Sequence, residues 1–222
     1  TLLDVPANDP IPTNQISAIK IGTTVATNAL LERKGEPTLL VITKGFGDAL
    51  RIGYQNRPQL FARHIVLPTM LHSLVIEADE RIDAAGTVIH PLEYAQLAQA
   101  LQKAYDQGLR SVAIVLMHGY RYPQHERSIA ELARTTGFTH IAASHQVSPL
   151  SKLIARGDTT MVDAYLTPIL RRYVDQLAKH LDDQQHIRLL FMQSNGGLTD
   201  AALFRGKDAV LSGPAGGVVG MV

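Results

Sequence analysis

Phe191-Met192-Gln193-Ser194-Asn195-Gly196-Gly197, followed after a short interval by Val210-Leu211-Ser212-Gly213-Pro214-Ala215-Gly216-Gly217-Val218-Val219-Gly220, is the part of the sequence against which the rest is read. Each stretch runs from apolar residues into glycines, and Val218, Val219 and Met221 point to a helix opening behind the second set. Two strand-to-glycine junctions of this kind predict an anion site. Glycine lets a ligand approach the main chain, and the first turn of a following helix offers unpaired amides. Asn195, Gly196, Gly197, Gly213, Gly216 and Gly217 are therefore candidate nucleotide-binding residues.

A second junction of the same type lies near the start. Ile16–Ile21 reads as a short strand, ending at Gly22-Thr23-Thr24, and Val25–Leu31 reads as a helix closing at Gly35. One threonine is explained as an N-cap. Thr23, Thr24, Thr27 and Asn28 together are more polar groups than a cap requires, and they fall where open α/β sheets hold ligands, so they are candidate substrate-binding residues.

The chain has 222 residues, enough for one large domain or two small ones, with 45% hydrophobic and 18% charged residues, the proportions of a globular protein. A formal charge of +1 and the lack of a basic stripe argue against nucleic acid as a partner. No apolar run approaches the roughly 18 residues of a membrane span. Zero cysteines exclude disulfides, thiolate zinc sites and cysteine nucleophiles, and fit a cytoplasmic protein. The nine histidines show no metal-ligand spacing. The phosphate-loop pattern is absent, and the dinucleotide fingerprint fails because Ala215 stands where its second glycine belongs.

Between these landmarks the pattern is α/β. Residues 1–15 read as an extended lead-in, 16–150 as a first α/β region with an irregular excursion at 51–72, and 151–222 as a long helix followed by the strand-glycine region. Thr38–Thr43 and Ser111–Met117 are continuous apolar strands, as in parallel sheets covered on both faces. Ser73–Asp83 alternates as a strand, and Thr87–Ile89 pairs back on it as a hairpin. A helix opens at Pro91 and stops at Gly108, another opens at Pro123 and stops at Gly137, and Thr139–Ala143 completes the βαβ units. The long helix is expected after residue 158, with Asp158 as its cap and Pro168 either kinking it or starting a new one. Arg156 and Asp158 beside Gly157 are further candidate substrate-binding residues. No catalytic residue and no metal ligand is assigned.

Gly22–Gly35 (GTTVATNALLERKG), Glu77–Arg81 (EADER), Arg156-Gly157-Asp158 through Asp163–Pro168, Met192–Leu198 and Leu211–Gly220 together resemble the hydantoinase A / 5-oxoprolinase family, in one order across nearly the whole chain from Ile16. Among its branches the likeness is greatest to ATP-dependent 5-oxoprolinase, with N-methylhydantoinase and the related ketone carboxylase subunits left open. The resemblance implies an actin- and hexokinase-like ATPase fold, here incomplete. It also implies ATP and Mg2+ as cofactors, a small cyclic amide as substrate, a second, hydantoinase B-type domain or subunit as partner, and a place in glutathione metabolism. The implied reaction converts 5-oxoproline, ATP and water to glutamate, ADP and phosphate through phosphorylation of the lactam oxygen. The family's phosphate loops, with their metal-holding residues, lie outside the stretch this sequence matches. The chain is accordingly expected to be an interior piece that is inactive alone. The alternative expectation is a non-catalytic docking domain of a larger hydantoinase or ketone carboxylase complex, with an apolar patch along Leu60–Leu74 as its surface.

Overall fold

The structure is a computed structural model and describes residues 16–56, 59, 61–179 and 187–221. The lead-in expected at 1–15, and Leu60, lie outside the described residues. In chain order the strands and helices are β1 (Ala18–Ile21), α1 (Val25–Leu31), β2 (Thr38–Thr43), α2 (Ala49–Ile52), β3 (His72–Ala78), β4 (Arg81–Ile82), β5 (Val88–His90), α3 (Tyr94–Asp106), β6 (Ser111–Val115), α4 (Gln124–Thr136), β7 (His140–Ala143), α5 (Ser144–Val147), α6 (Leu153–Lys179), β8 (Arg188–Met192), β9 (Leu198–Asp200), α7 (Gly206–Ala209) and α8 (Ser212–Val219). The chain divides into two compact units. One combines the chain up to Leu31 with the chain from Ile169 onward, and the other is Glu32–Pro168.

The larger unit is a four-stranded, all-parallel sheet in the order β3-β2-β6-β7. All residues of β2 and β6 are buried, which is why their sequences show no alternation. The period of two reappears in what each residue touches. Leu39, Val41, Val112 and Ile114 pack on Leu97 and Leu101 of α3 and Ile129 and Ala133 of α4. Leu40, Ile42, Ala113 and Val115 pack on the other side with Leu50, Val147, and Met161 and Ala164 of α6. The strand connectivity follows from covering both faces. The smaller unit holds the sheet β1-β8-β9, with β1 and β8 parallel and β9 antiparallel. Its core includes Phe191 stacked on Phe204, ring centroids 4.8 Å apart, with the edge of Tyr173 against Phe191.

Several boundaries depart from the sequence reading. β3 pairs in parallel with β2 and ends at Ala78, and it is β4 that forms the hairpin with β5. Pro91 precedes α3, which begins at Tyr94, and α1 ends at Leu31 rather than at Gly35. The long helix begins at Leu153, so Arg156, Gly157 and Asp158 are interior to it and Asp158 is not its cap. Gly157 lies inside the helix without breaking it. A Cβ there would stand 2.5 Å from Leu50 Cδ2, so glycine lets α6 lie close to α2. Val210 and Leu211 form no strand. They lie in the turn between α7 and α8, and Gly213, Gly216 and Gly217 are inside α8 rather than ahead of it.

Pro168 sits inside α6 without ending it. A proline in a helix leaves the carbonyl four residues before it without a partner and weakens the next bond. Both carbonyls find donors from outside the helix: Ser111 Oγ donates to Ala164 O at 2.7 Å, and Glu36 N donates to Tyr165 O at 2.9 Å. Ser111 is fully buried, so Ser111→Ala strips a partner from a buried carbonyl and should cost about 1–3 kcal/mol. Urea unfolding checks this, with a lowered midpoint at unchanged slope as the expected outcome.

Candidate functional site

In the smaller unit, the carboxyl ends of β1 and β8 and the helix α8 enclose a cavity of about 640 Å3, lined by Lys20, Ile21, Gly22, Thr24, Met192, Leu198, Gly213, Pro214, Gly216 and Gly217. Three glycines in an eight-residue helix disfavour it by about 1 kcal/mol each relative to alanine, so intrinsic propensity does not account for α8. Tertiary bonds hold it instead. Ser212 is fully buried, and its Oγ lies 2.8 Å from Thr23 O and 2.9 Å from Ala209 O. Thr27 Oγ1 donates to Val210 O, tying α1 to the chain entering α8. Ser194 Oγ donates to Asp208 O at 2.8 Å and accepts from Leu211 N at 3.0 Å, tying the end of β8 to the same segment.

What glycine provides is an uncovered backbone. A Cβ placed on Gly22 or Gly217 meets no atom within 4 Å, whereas one on Gly213 would come 2.8 Å from Thr24 Cγ2. Side chains at Gly22 and Gly217 would stand in open space beside the lining, where a ligand can reach main chain. Lys20 is the one charged side chain of the lining, and the rest is glycine, proline, a threonine and apolar residues.

The candidate residues thus take distinct places. Thr24, Gly213, Gly216 and Gly217 line the cavity. Thr23 is buried, with Oγ1 accepting from Val25 N at 3.2 Å, and Asn28 Nδ2 reaches Thr24 Oγ1 at 3.5 Å. Asn195, Gly196 and Gly197 close the β8–β9 hairpin: Gln193 N donates to Gly197 O at 2.8 Å, Asn195 Oδ1 accepts from Gly197 N at 2.9 Å, and Gly196 has φ +83°. They are not among the residues lining the cavity. Lys20, Met192 and Leu198 line it but were not singled out by the sequence. The available signal was position, since Lys20 and Met192 are within two residues of the strand ends at Gly22 and Gln193.

Arg156 and Asp158 belong to the other unit. Arg156 is fully buried, and its guanidinium donates to the carbonyls of Leu150 at 2.9 Å, Met117 at 3.0 Å, and Leu116. Burial works against its charge, and the carboxylate of Glu126 and the neighbouring Tyr120 work for it. Glu126, also fully buried, accepts from Leu116 N at 2.9 Å, Ser144 Oγ at 2.5 Å and His145 N at 2.9 Å, with His145 Nδ1 2.7 Å from its Oε2. Thr43 Oγ1 accepts from Met117 N at 2.9 Å and donates to Glu80 Oε1 at 2.6 Å, and His125 Nδ1 is 2.7 Å from Glu80 Oε2. These buried groups bond the main chain just beyond β6 and β7, and so fix the strand ends. No group of three or more His, Asp or Glu able to hold a metal occurs among the described residues. No helix among them is long and apolar enough to cross a membrane.

The family model described as the hydantoinase/oxoprolinase N-terminal region matches residues 2–137, and that described as hydantoinase/oxoprolinase matches 156–222. The chain belongs to the hydantoinase/oxoprolinase family. It is 44% identical to 5-oxoprolinase 1 of Arabidopsis thaliana, over 97% of this chain and 19% of that protein. The 5-oxoprolinase of Saccharomyces cerevisiae is 35% identical, with the same coverage of both chains. The chain therefore spans about a fifth of the length of these curated relatives. The crystal structure of the ATP-dependent caprolactamase from Pseudomonas jessenii superposes with a TM-score of 0.80 at 29% identity, over 92% of this chain and 31% of the other. Acetone carboxylase in its nucleotide-free structure gives 0.78 at 21% identity, over 96% and 32%, and shows the shared fold alone. The fold class is α/β of the kind expected from the family, with parallel βαβ units.

Two outcomes follow from these α6 side chains. Arg156→Leu leaves the carbonyls of Leu116, Met117 and Leu150 without this donor, and should destabilise the chain by about 3 kcal/mol or more in urea unfolding. Asp158 is exposed on α6, and partial desolvation of its carboxyl pushes it up from the ordinary value. The folded state therefore binds the proton more tightly than the unfolded state, and stability falls as pH rises through that window. Asp158→Asn should raise the melting temperature at pH 7, and the gain should vanish once pH falls below the ordinary carboxylate range, where both states are protonated.

Proposed function

We propose that this chain is the part of an ATP-dependent cyclic-amide hydrolase that presents a nucleotide-binding cavity, in an enzyme converting 5-oxoproline, ATP and water to glutamate, ADP and phosphate. The observation that carries the reading is the glycine-lined cavity at the ends of β1 and β8, with its exposed main chain and single cation. Support comes from the relatives, several of them 5-oxoprolinases, and from the ATP-dependent caprolactamase with its shared fold.

The residues fit a nucleoside polyphosphate in a divided way. Lys20, Gly22, Thr24, Gly216 and Gly217 offer charge, a hydroxyl and uncovered backbone to the phosphates, while Ile21, Met192 and Leu198 offer an apolar wall to the rest of the ligand. Thr23, Thr27 and Ser212 act as positioning residues through the bonds that join α1 to α8. When bound, ATP supplies a phosphoryl group that turns the poorly electrophilic amide carbonyl into one bearing a leaving group. The chain's own share is orientation and charge neutralisation. Asn28, whose side-chain amide reaches Thr24, is assigned to the substrate on this reading. The lining contains no carboxylate, so these residues do not fit Mg2+, and no step is assigned to the metal. Arg156 and Asp158, interior to α6, act in the other unit.

A second reading, a docking surface for a hydantoinase B-type domain or subunit, is favoured by the exposed apolar run at Phe61, Ile65, Val66 and Leu67. The two readings are compatible, because the run and the cavity are in different units.

Calorimetric titration of the chain with ATP tests the first reading. Wild type should bind, and Gly217→Leu, which places a side chain in the open space beside the cavity, should bind at least about tenfold more weakly at a melting temperature no lower than that of wild type. No heat from wild-type protein would overturn the reading, and robust turnover of 5-oxoproline by this chain without any added subunit would overturn the expectation that it is inactive alone.

A further inference from the structure

The larger unit has a cavity of its own, of about 420 Å3, with its lining drawn from the segments that follow β2 and β6 and from the start of α6. The place is determined by topology. From β2 the chain goes to β3 on one side, then returns through β6 to the other side of β2, so the sheet changes direction between β2 and β6. In open parallel sheets the crevice outside the carboxyl ends at such a switch is where ligands bind. Phe46, three residues past β2, and Met117, two residues past β6, both line the cavity.

The floor at Met117 is held from both sides of its peptide chain. Its N–H donates to Thr43 Oγ1 at 2.9 Å, and its carbonyl accepts from Arg156 Nη2 at 3.0 Å. Thr43 and Arg156 are fully buried, and Glu80 and His125 orient Thr43 in turn. This is rigid support of the kind that a preformed binding site requires.

The walls add a chemistry. Ile52, Tyr54 and Leu153 make them apolar, and Ile52 and Tyr54 are exposed at 43% and 56%. Two charges of opposite sign, Asp48 and Lys152, complete the lining, both exposed. Neither side chain has a hydrogen bond or ion-pair partner among the described residues. We propose that this cavity is a second ligand site, which takes a small molecule with an apolar body, a carboxylate for Lys152 and an N–H donor for Asp48. An amino acid has these features, and so does a cyclic amide that retains a carboxylate. The site stands apart from the nucleotide reading, because none of its residues lines the other cavity.

Methionine methyl NMR on the full 222-residue chain separates the two cavities, since Met117 lines this one and Met192 the other. The probes are L-leucine and 5-oxoproline, each with a carboxylate and an N–H, and caprolactam, which has the N–H but no carboxylate. The expected result is a saturable shift of the Met117 methyl with at least one carboxylate probe below about 10 mM, and at least tenfold weaker response to caprolactam. Which carboxylate probe binds tells the open amino acid from the cyclic form. Lys152→Met, which adds one methyl signal of its own, should weaken the carboxylate probe about tenfold while leaving the melting temperature unchanged. A Met117 resonance that stays fixed with all three probes overturns the site, and equal binding of caprolactam, or no effect of Lys152→Met, overturns the carboxylate assignment. A Met192 shift with ATP but no Met117 response to the three probes would leave the nucleotide reading standing and remove this one.

Discussion

The four-stranded sheet depends on buried side chains that bond main chain at its carboxyl edge. Peptide groups just beyond a strand have lost the ladder that satisfied them, and burying them without partners costs about as much as a lost hydrogen bond. Here Arg156 takes the carbonyls of Leu116 and Met117, Glu126 takes the amides of Leu116 and His145, and Thr43 takes the amide of Met117. Each of these three side chains comes from a different element, so the same bonds that satisfy the strand ends also fix β2, β6, α4 and α6 to one another. The result is a carboxyl edge held by side-chain bonds from three elements.

The smaller unit solves a related problem with other means. Its cavity is lined by bare backbone, which glycine gives, but glycine weakens the helix that carries it. Ser212, Thr27 and Ser194 supply the bonds that composition withholds, and they reach across from β8, from α1 and from α8 itself. Polar groups that looked like ligand contacts in the sequence turn out to be shared between two tasks. Thr24 faces the cavity, while Thr23 and Thr27 hold its walls.

This division explains what could be read from the residues and what could not. β2 and β6 were legible because a strand covered on both faces is apolar without interruption, and α4 because Pro123 and Gly137 bracket it. The start of α6 was placed too late because Asp158 after a glycine has the form of an N-cap, whereas Gly157 is interior to the helix and its lack of a side chain lets Leu50 approach. α8 was misplaced because Val210-Leu211 ahead of glycines has the local form of a strand end, and only the tertiary bonds of Ser212 and Thr27 make the glycines helical. Arg156 was singled out as a candidate substrate-binding residue, and an arginine that binds carbonyls and one that binds a ligand are written identically in sequence. Lys20, Asp48 and Lys152 carry no local signature at all, since what sets them apart is the cavity each one faces.

The central claim is that main chain left bare by glycine at the ends of β1 and β8 receives a polyphosphate. A crystal structure of the chain grown with a non-hydrolysable ATP analogue tests it most directly. The account predicts the phosphates against Gly22, Thr24, Gly216 and Gly217 with Lys20 alongside. Analogue bound away from those residues, with this cavity empty, would contradict it.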